Sequence, residues 1–275
     1  MIVPIDSSHP RADTATIRWK CMKPAHIAYF HIPKCSGTTV TEFFSRKFGK
    51  ESVLTNSTTL DYLITPSTYL SSYKVFAGHI SYDCLPLLPS DCSFVTVLRN
   101  PHSRLLSLYR YYRGLDAKLH HPQSAVLAKT MDFHDWLECN DPTVIVETRN
   151  AILRQFVPDS FFRNKSPACP HNMLKTAGDF INRFQAVGFV EELSVTIQIL
   201  SQAFELPLNG VDSDIRLNVS TDETLTFSRD RLRAFFEEHS WLDLEFLRNC
   251  ITVFRRQCPV EYRKCLKDLE LRIFS

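Results

Sequence analysis

The stretch that most constrains the fold of this chain is Ile27-Ala28-Tyr29-Phe30-His31-Ile32, followed at once by Pro33-Lys34-Cys35-Ser36-Gly37-Thr38-Thr39. The first six residues are rich in β-formers and almost uninterrupted in apolar character. That is the pattern of a strand buried on both faces of a parallel sheet, not of one half-exposed in an antiparallel sheet. Pro33 has no N–H to offer a ladder and ends the strand. From Thr38 to Phe48 the apolar residues Val40, Phe43, Phe44 and Phe48 lie on one face of a helix. A buried strand feeding straight into an amphipathic helix is the opening of a βαβ unit, and it commits the chain to an α/β architecture.

The rest of the chain continues the alternation. Lys74-Val75-Phe76-Ala77 predicts a second strand, ended by Gly78-His79, and Ser93 to Leu98 predicts a third. Asn100 is a good helix cap and Pro101 suits the first helical position, so a helix is expected through Arg104, Leu105, Leu108, Tyr109 and Tyr112. Residues 114–131 lack periodicity and read as a loop or lid. Residues 132–156 predict two helical pieces split at Asn140-Asp141-Pro142, and 157–171, with Pro158, Pro167 and Pro170, read as irregular. Phe184 to Phe189 predicts the last strand, with a helix following from about Val190 to Phe204. Two more helices are expected near 228–239 and 243–257. The expectation is a single α/β domain over residues 25–275, a central parallel β-sheet flanked by helices, preceded by a loose, proline-broken arm at 1–24.

Composition narrows the function. A formal net charge of +2 is far from the strongly basic balance of a nucleic-acid-binding domain. No apolar run approaches the ~18 residues of a membrane-spanning helix. The start, Met1-Ile2-Val3-Pro4-Ile5-Asp6, lacks the charged and apolar segments of a secretory leader. The nine cysteines are odd in number and none has CxxC spacing, which disfavours a zinc site or an ordered disulfide framework. They read as reduced thiols in a cytoplasmic protein, with one bridge among Cys250, Cys258 and Cys265 left open.

Four segments carry chemistry. The loop from Lys34 to Thr39 opens a helix, and a helix N-terminus offers N–H groups and the positive end of a dipole to an anion. Gly37 permits close backbone approach, Thr38 and Thr39 add hydroxyls, and Lys34 adds a mobile cation. Lys34 precedes the glycine, whereas in a Walker A loop the lysine follows it. Arg99 at a strand end and Ser107 on the following helix suit a second phosphate, one by a charged fork and one by a hydroxyl. His79, after Gly78 at a strand end, sits where α/β sheets place ligands and is a natural general base near neutral pH. His31, inside its strand, reads as a core or supporting residue, while His120 and His121 and the arginines at 110 and 113 read as solvated. A late polar loop, Arg216-Leu217-Asn218-Val219-Ser220, is suited to closing over a nucleotide.

At these residues the chain resembles the PAPS-dependent sulfotransferase superfamily, PAPS being 3′-phosphoadenosine 5′-phosphosulfate. It is most similar to the branch of carbohydrate 2-O-sulfotransferases and their bacterial relatives. His31 to Thr39 match its HIPKxxGTT segment, Gly78-His79 its GH element, Leu98 to Tyr109 its LRxPxxRxxSxY element, Val187 to Leu193 its VGxxExL element and Asn218 to Ser220 its NxS loop. The resemblance implies a P-loop-NTPase-like sulfotransferase fold and PAPS as co-substrate with no metal. It implies that Lys34, Cys35, Ser36, Gly37, Thr38 and Thr39 hold the 5′-phosphosulfate, with Lys34 stabilising the leaving phosphate. Arg99 and Ser107 would hold the 3′-phosphate, Arg216, Asn218 and Ser220 would close the nucleotide site, and His79 would act as base. The expected acceptor is a small molecule with a hydroxyl or amine, with a glycan as the alternative. A P-loop phosphotransferase would need a Walker lysine and a magnesium carboxylate, and a non-catalytic nucleotide-binding module would have no need of His79.

Overall fold

Five parallel strands form one sheet in the order β2-β3-β1-β4-β5. They are β1 (His26–His31), β2 (Val53–Thr58), β3 (Val75–His79), β4 (Cys92–Leu98) and β5 (Phe184–Phe189). The computed structural model describes residues 25–65, 67–116, 121–163, 168–208, 227–266 and 268–274. The arm at 1–24, His120 and the loop carrying Arg216, Asn218 and Ser220 lie outside the described residues.

The most apolar strand takes the central position. Ile27, Ala28, Tyr29 and Phe30 of β1 are fully buried, as a strand covered on both faces must be. The alternation of side chains sends Tyr29 and Phe30 to opposite faces. Tyr29 meets Phe44 of α1 (Gly37–Phe48), with ring centroids 6.5 Å apart. Phe30 enters a cluster with Phe94, Phe156, Phe180 and Phe184, at centroid separations of 5.4 to 6.3 Å. Each such ring removed from water contributes about 1.5–3 kcal/mol.

The helices follow in chain order. After β2 come the short α2 (Thr59–Ile64) and α3 (Ser67–Leu70). After β4 comes α4 (Pro101–Arg113), where the Asn100 side chain accepts the Ser103 N–H at 2.8 Å and Pro101 occupies the first turn. Next are α5 (Gln123–Thr130), α6 (Phe133–Glu138) and α7 (Pro142–Thr148). The expected split at 140–142 is real: Asp141 caps α7 by accepting the Thr143 N–H at 2.9 Å. Then follow α8 (Ser160–Arg163), α9 (Pro170–Ile181), α10 (Leu193–Ala203), α11 (Arg229–His239), α12 (Trp241–Gln257) and α13 (Leu269–Phe274). Helices α1, α9, α10 and α12 cover the sheet, while α4 to α7 and α11 share a smaller core around Trp136 and Tyr109. No helix among the described residues is long and apolar enough to cross a membrane.

Three expectations are corrected and one open alternative is closed. Residues 114–131 are not loop throughout: α5 packs through Ala125 and Ala128, and the Trp136 indole N–H reaches the Ser124 carbonyl at 2.9 Å. Its buried side chains are too small to register as an apolar stripe. Pro170 does not break structure; it opens α9, whose Met173, Ala177, Phe180 and Ile181 are buried at helical spacing. Strand β2 was not expected, because Thr55-Asn56-Ser57-Thr58 is polar, as an edge strand can be. A bridge involving Cys250 is absent, since Cys250 is a buried free thiol, as are Cys35 and Cys84.

Candidate active site

The C-terminal ends of β3, β1 and β4 stand side by side, and the strand order reverses about β1. This is where open α/β sheets bind ligands. Pairing of Phe30 with Gly78 and of His31 with Val97 brings three features together: His79 at the end of β3, the 33–39 loop after β1, and Arg99 one residue beyond β4.

The loop turns tightly. The Cys35 N–H returns to the Ile32 carbonyl at 3.1 Å, and Lys34 and Ser36 both take left-handed backbone, with φ of 70° and 58°. Neither is glycine, so each carries steric strain of about 1–2 kcal/mol. Left-handed residues ahead of a helix curl successive N–H groups inward, a geometry that receives anions. Ser36 precedes α1 without capping it through its hydroxyl. Thr38 is exposed and Thr39 buried. Cys35 points into the core, fully buried, and burial pushes its thiol up to about 12, so it holds no thiolate for catalysis.

Gly37 also has a packing role. A Cβ there would lie 1.7 Å from Nε2 of His31. The missing side chain makes room for an imidazole, and the His31 ring packs directly on the start of α1. His31 in turn stacks on Tyr29 at 5.6 Å and meets His79 at 4.7 Å between ring centroids. Burial, then His79, then Lys34 hold His31 down to about 3, so it is neutral. His79 keeps one side exposed to solvent, and desolvation on the other lowers it below the ordinary imidazole range. His79 is therefore an accessible imidazole in its base form at neutral pH.

Arg99 and Lys34 meet directly. Nη1 of Arg99 donates to the Lys34 carbonyl at 3.2 Å, tying the end of β4 to the loop after β1. Burial and then the Arg99 guanidinium hold Lys34 below the ordinary lysine range. Its Nζ lies 4.1 Å from the centre of the Tyr111 ring on α4. Ser107 is buried on the same helix, one turn before Tyr111. Two cations thus stand beside a helix N-terminus, an arrangement that favours a polyanion.

Glu191, at the start of the turn after β5, supports this wall. One carboxylate oxygen accepts the Asn100 N–H at 2.9 Å, and the other is buried without a hydrogen-bond partner. Burial raises its carboxyl, while the Asn100 bond and the charges of Arg99 and Arg272 pull it back. The Asn100 side-chain amide donates to the carbonyls of Arg272 and Ile273, at 3.0 and 2.9 Å, so α13 seals the back of the Arg99 turn.

The structure therefore brings Lys34, Arg99 and His79 to one end of the sheet with the Cys35–Thr39 loop. The sequence marks His31 only as a core or supporting residue, sets Tyr111 between two arginines that read as solvated, and offers Glu191 only as part of the VGxxExL match. The signal for Tyr111 was its spacing of four from Ser107, which puts both on one helix face. No cluster of three or more His, Cys, Asp or Glu among the described residues is arranged to hold a metal ion.

No protein-family model and no curated protein matches the chain. Among solved structures, mouse sulfotransferase SULT7A1 complexed with PAP aligns with 90% of this chain and 89% of its own, at 12% sequence identity and a TM-score of 0.43.

Proposed function

We propose that this protein transfers a sulfuryl group from PAPS to a hydroxyl or amine of a small-molecule acceptor. One observation carries the reading: Arg99 is hydrogen-bonded to the backbone of Lys34, at a helix-opening loop whose lysine precedes its glycine. Two cations held together at the mouth of a parallel sheet suit a nucleotide with two separate anionic groups. A Walker loop would instead carry its lysine inside the helix.

In this reading the acceptor oxygen or nitrogen attacks sulfur in line with the phosphosulfate bond. The new bond to sulfur forms as the sulfur–oxygen bond to the 5′-phosphate breaks, and that electron pair leaves with 3′,5′-ADP. His79 takes the acceptor's proton. Lys34 and the first-turn N–H groups of α1 meet the charge on the leaving phosphate, so catalysis is mainly positioning and electrostatic stabilisation. Arg99 and Ser107 hold the 3′-phosphate, and Arg216, Asn218 and Ser220 close over the nucleotide.

Two measurements test this. Calorimetric titration should show 3′,5′-ADP binding at least tenfold tighter than 5′-ADP, without magnesium. Radiolabelled PAPS, screened against hydroxylated and amino metabolites and desulfated glycans, should label an acceptor. Equal affinity for the two nucleotides removes the 3′-phosphate assignment. Tight 3′,5′-ADP binding with no transfer to any acceptor turns the reading to a binding module, and labelling confined to glycans moves the acceptor class.

A further inference from the structure

Tyr111 has no part in the chemistry described above, yet its ring is the surface on which the Lys34 ammonium rests. The ring is about half exposed, at 50%, on the face of α4 that also carries Ser107. A half-exposed tyrosine is unremarkable by itself. Its position over this particular lysine is not, because Lys34 faces a local electrostatic problem. Its backbone is in left-handed geometry, its carbonyl is held by Arg99, and its ammonium is partly withdrawn from water beside a second cation. The electron-rich face of an aromatic ring is a neutral partner that attracts an ammonium without fixing it in place.

We propose that Tyr111 is a positioning residue that parks Lys34 away from the phosphosulfate cradle until nucleotide enters, and that the ammonium leaves the ring for the phosphate when it does. The proposal rests on the nucleotide-binding reading above. The parked state keeps Lys34 charged, and it sets the ring in competition with the phosphosulfate for the same cation. A neutral, weak partner suits this better than a carboxylate, since an ion pair at that position would hold the lysine against the incoming anion. Tyr111 therefore tunes how readily the leaving-group cation engages, without touching the reacting atoms.

Reductive ¹³C-methylation of the lysines keeps their charge and gives each ammonium an NMR signal. In the full chain one dimethyl-lysine resonance should be shifted upfield by the ring, and Lys34→Arg should remove it. Tyr111→Phe should keep the shift, Tyr111→Leu should abolish it, and saturating 3′,5′-ADP should abolish it in the wild type. Calorimetry on the unmethylated protein should show Tyr111→Leu binding 3′,5′-ADP about two- to fivefold tighter, as expected for removal of one exposed cation–π competitor. In a Lys34→Ala background the same substitution should have no effect. Absence of an upfield lysine signal overturns the contact. An upfield signal that persists while 3′,5′-ADP binds overturns the release step and leaves the nucleotide reading intact. Failure of wild-type protein to bind 3′,5′-ADP sinks the nucleotide reading and this proposal with it, even if the upfield signal is present.

Discussion

The imidazoles of His31 and His79 lie 4.7 Å apart at the ends of adjacent parallel strands, and His79 is the more open of the two to solvent. His31 fills the space that Gly37 leaves and forms the floor on which His79 rests. One histidine is thus built into the fold, and the other is left free to exchange a proton.

Turnover should follow the base form of His79. Desolvation lowers its pKa, so the neutral ring prevails at pH 7 and above, and the rate should be level there. It should fall only as pH drops below the ordinary imidazole value of 6.5. His79→Ala should cost about 10²-fold in kcat. A kcat/KM profile that instead rises from pH 7 to 9 would contradict a histidine base.

His31 makes a separate prediction about stability. Unfolded, it takes up a proton near its ordinary 6.5; folded, it resists until about 3. The unfolded chain therefore binds more protons across that window, and His31 withdraws stability as pH falls through it. Asp243, held up to about 6 by burial, acts in the opposite sense below that pH, so variant and wild type are compared at each pH. His31→Gln should show a shallower fall in Tm between pH 6.5 and 4 than the wild type. An equally steep fall would place the acid sensitivity elsewhere.

Gly37→Ala should be far more damaging than an exposed loop substitution. The added methyl meets the His31 ring, which must leave its place on α1 and disturb His79 as it goes. We expect kcat to drop by at least tenfold with the protein still folded by circular dichroism. The double variant Gly37→Ala, His31→Ala should recover part of the folding stability lost.

Arg99→Ala should weaken 3′,5′-ADP binding about 10- to 100-fold, the range of a charged hydrogen bond, and should also loosen the loop by losing the bond to the Lys34 carbonyl. Lys34→Ala should act mainly on turnover, by about 10²-fold, with a smaller change in nucleotide affinity. Isothermal titration and steady-state kinetics separate the two. Equal effects of both substitutions on affinity would merge the roles assigned to them.

Away from the site, Asp243 is a charged residue buried in the core. Its carboxylate accepts the N–H groups of Ile152 and Leu153 at 3.2 and 2.8 Å while 1% exposed. Asp243→Ala strands two buried donors and should cost about 2–4 kcal/mol in urea unfolding. Asp243→Asn keeps one acceptor and should cost less.

How much of this was legible beforehand follows from burial and side-chain size. Strands β1, β4 and β5 announced themselves because both their faces are apolar. Strand β2 did not, because an edge with Thr55 and Thr58 reads like a turn. Helix α4 was plain from Asn100-Pro101, whereas α9 was hidden behind Pro170 and α5 behind alanines. Among candidate site residues, Lys34, Arg99 and His79 were visible because charge and imidazole at strand ends have few structural uses. Tyr111 and Glu191 were not: one looks like an exposed helix residue and the other like a turn carboxylate until the fold brings them to Lys34 and Asn100. Arg216, Asn218 and Ser220 remain expectations of the sequence, outside the described residues.

The bonds from Asn100 to Arg272 and Ile273 span 172 and 173 residues of chain. A ribosome adding about 5–20 residues per second needs on the order of 10 to 30 s to make that stretch. For that interval the turn bearing Arg99 has been synthesised but its amide partners have not. The end of the sheet that carries Arg99 is therefore completed late in synthesis, and a nascent chain holds an unfinished site until α13 emerges to close it.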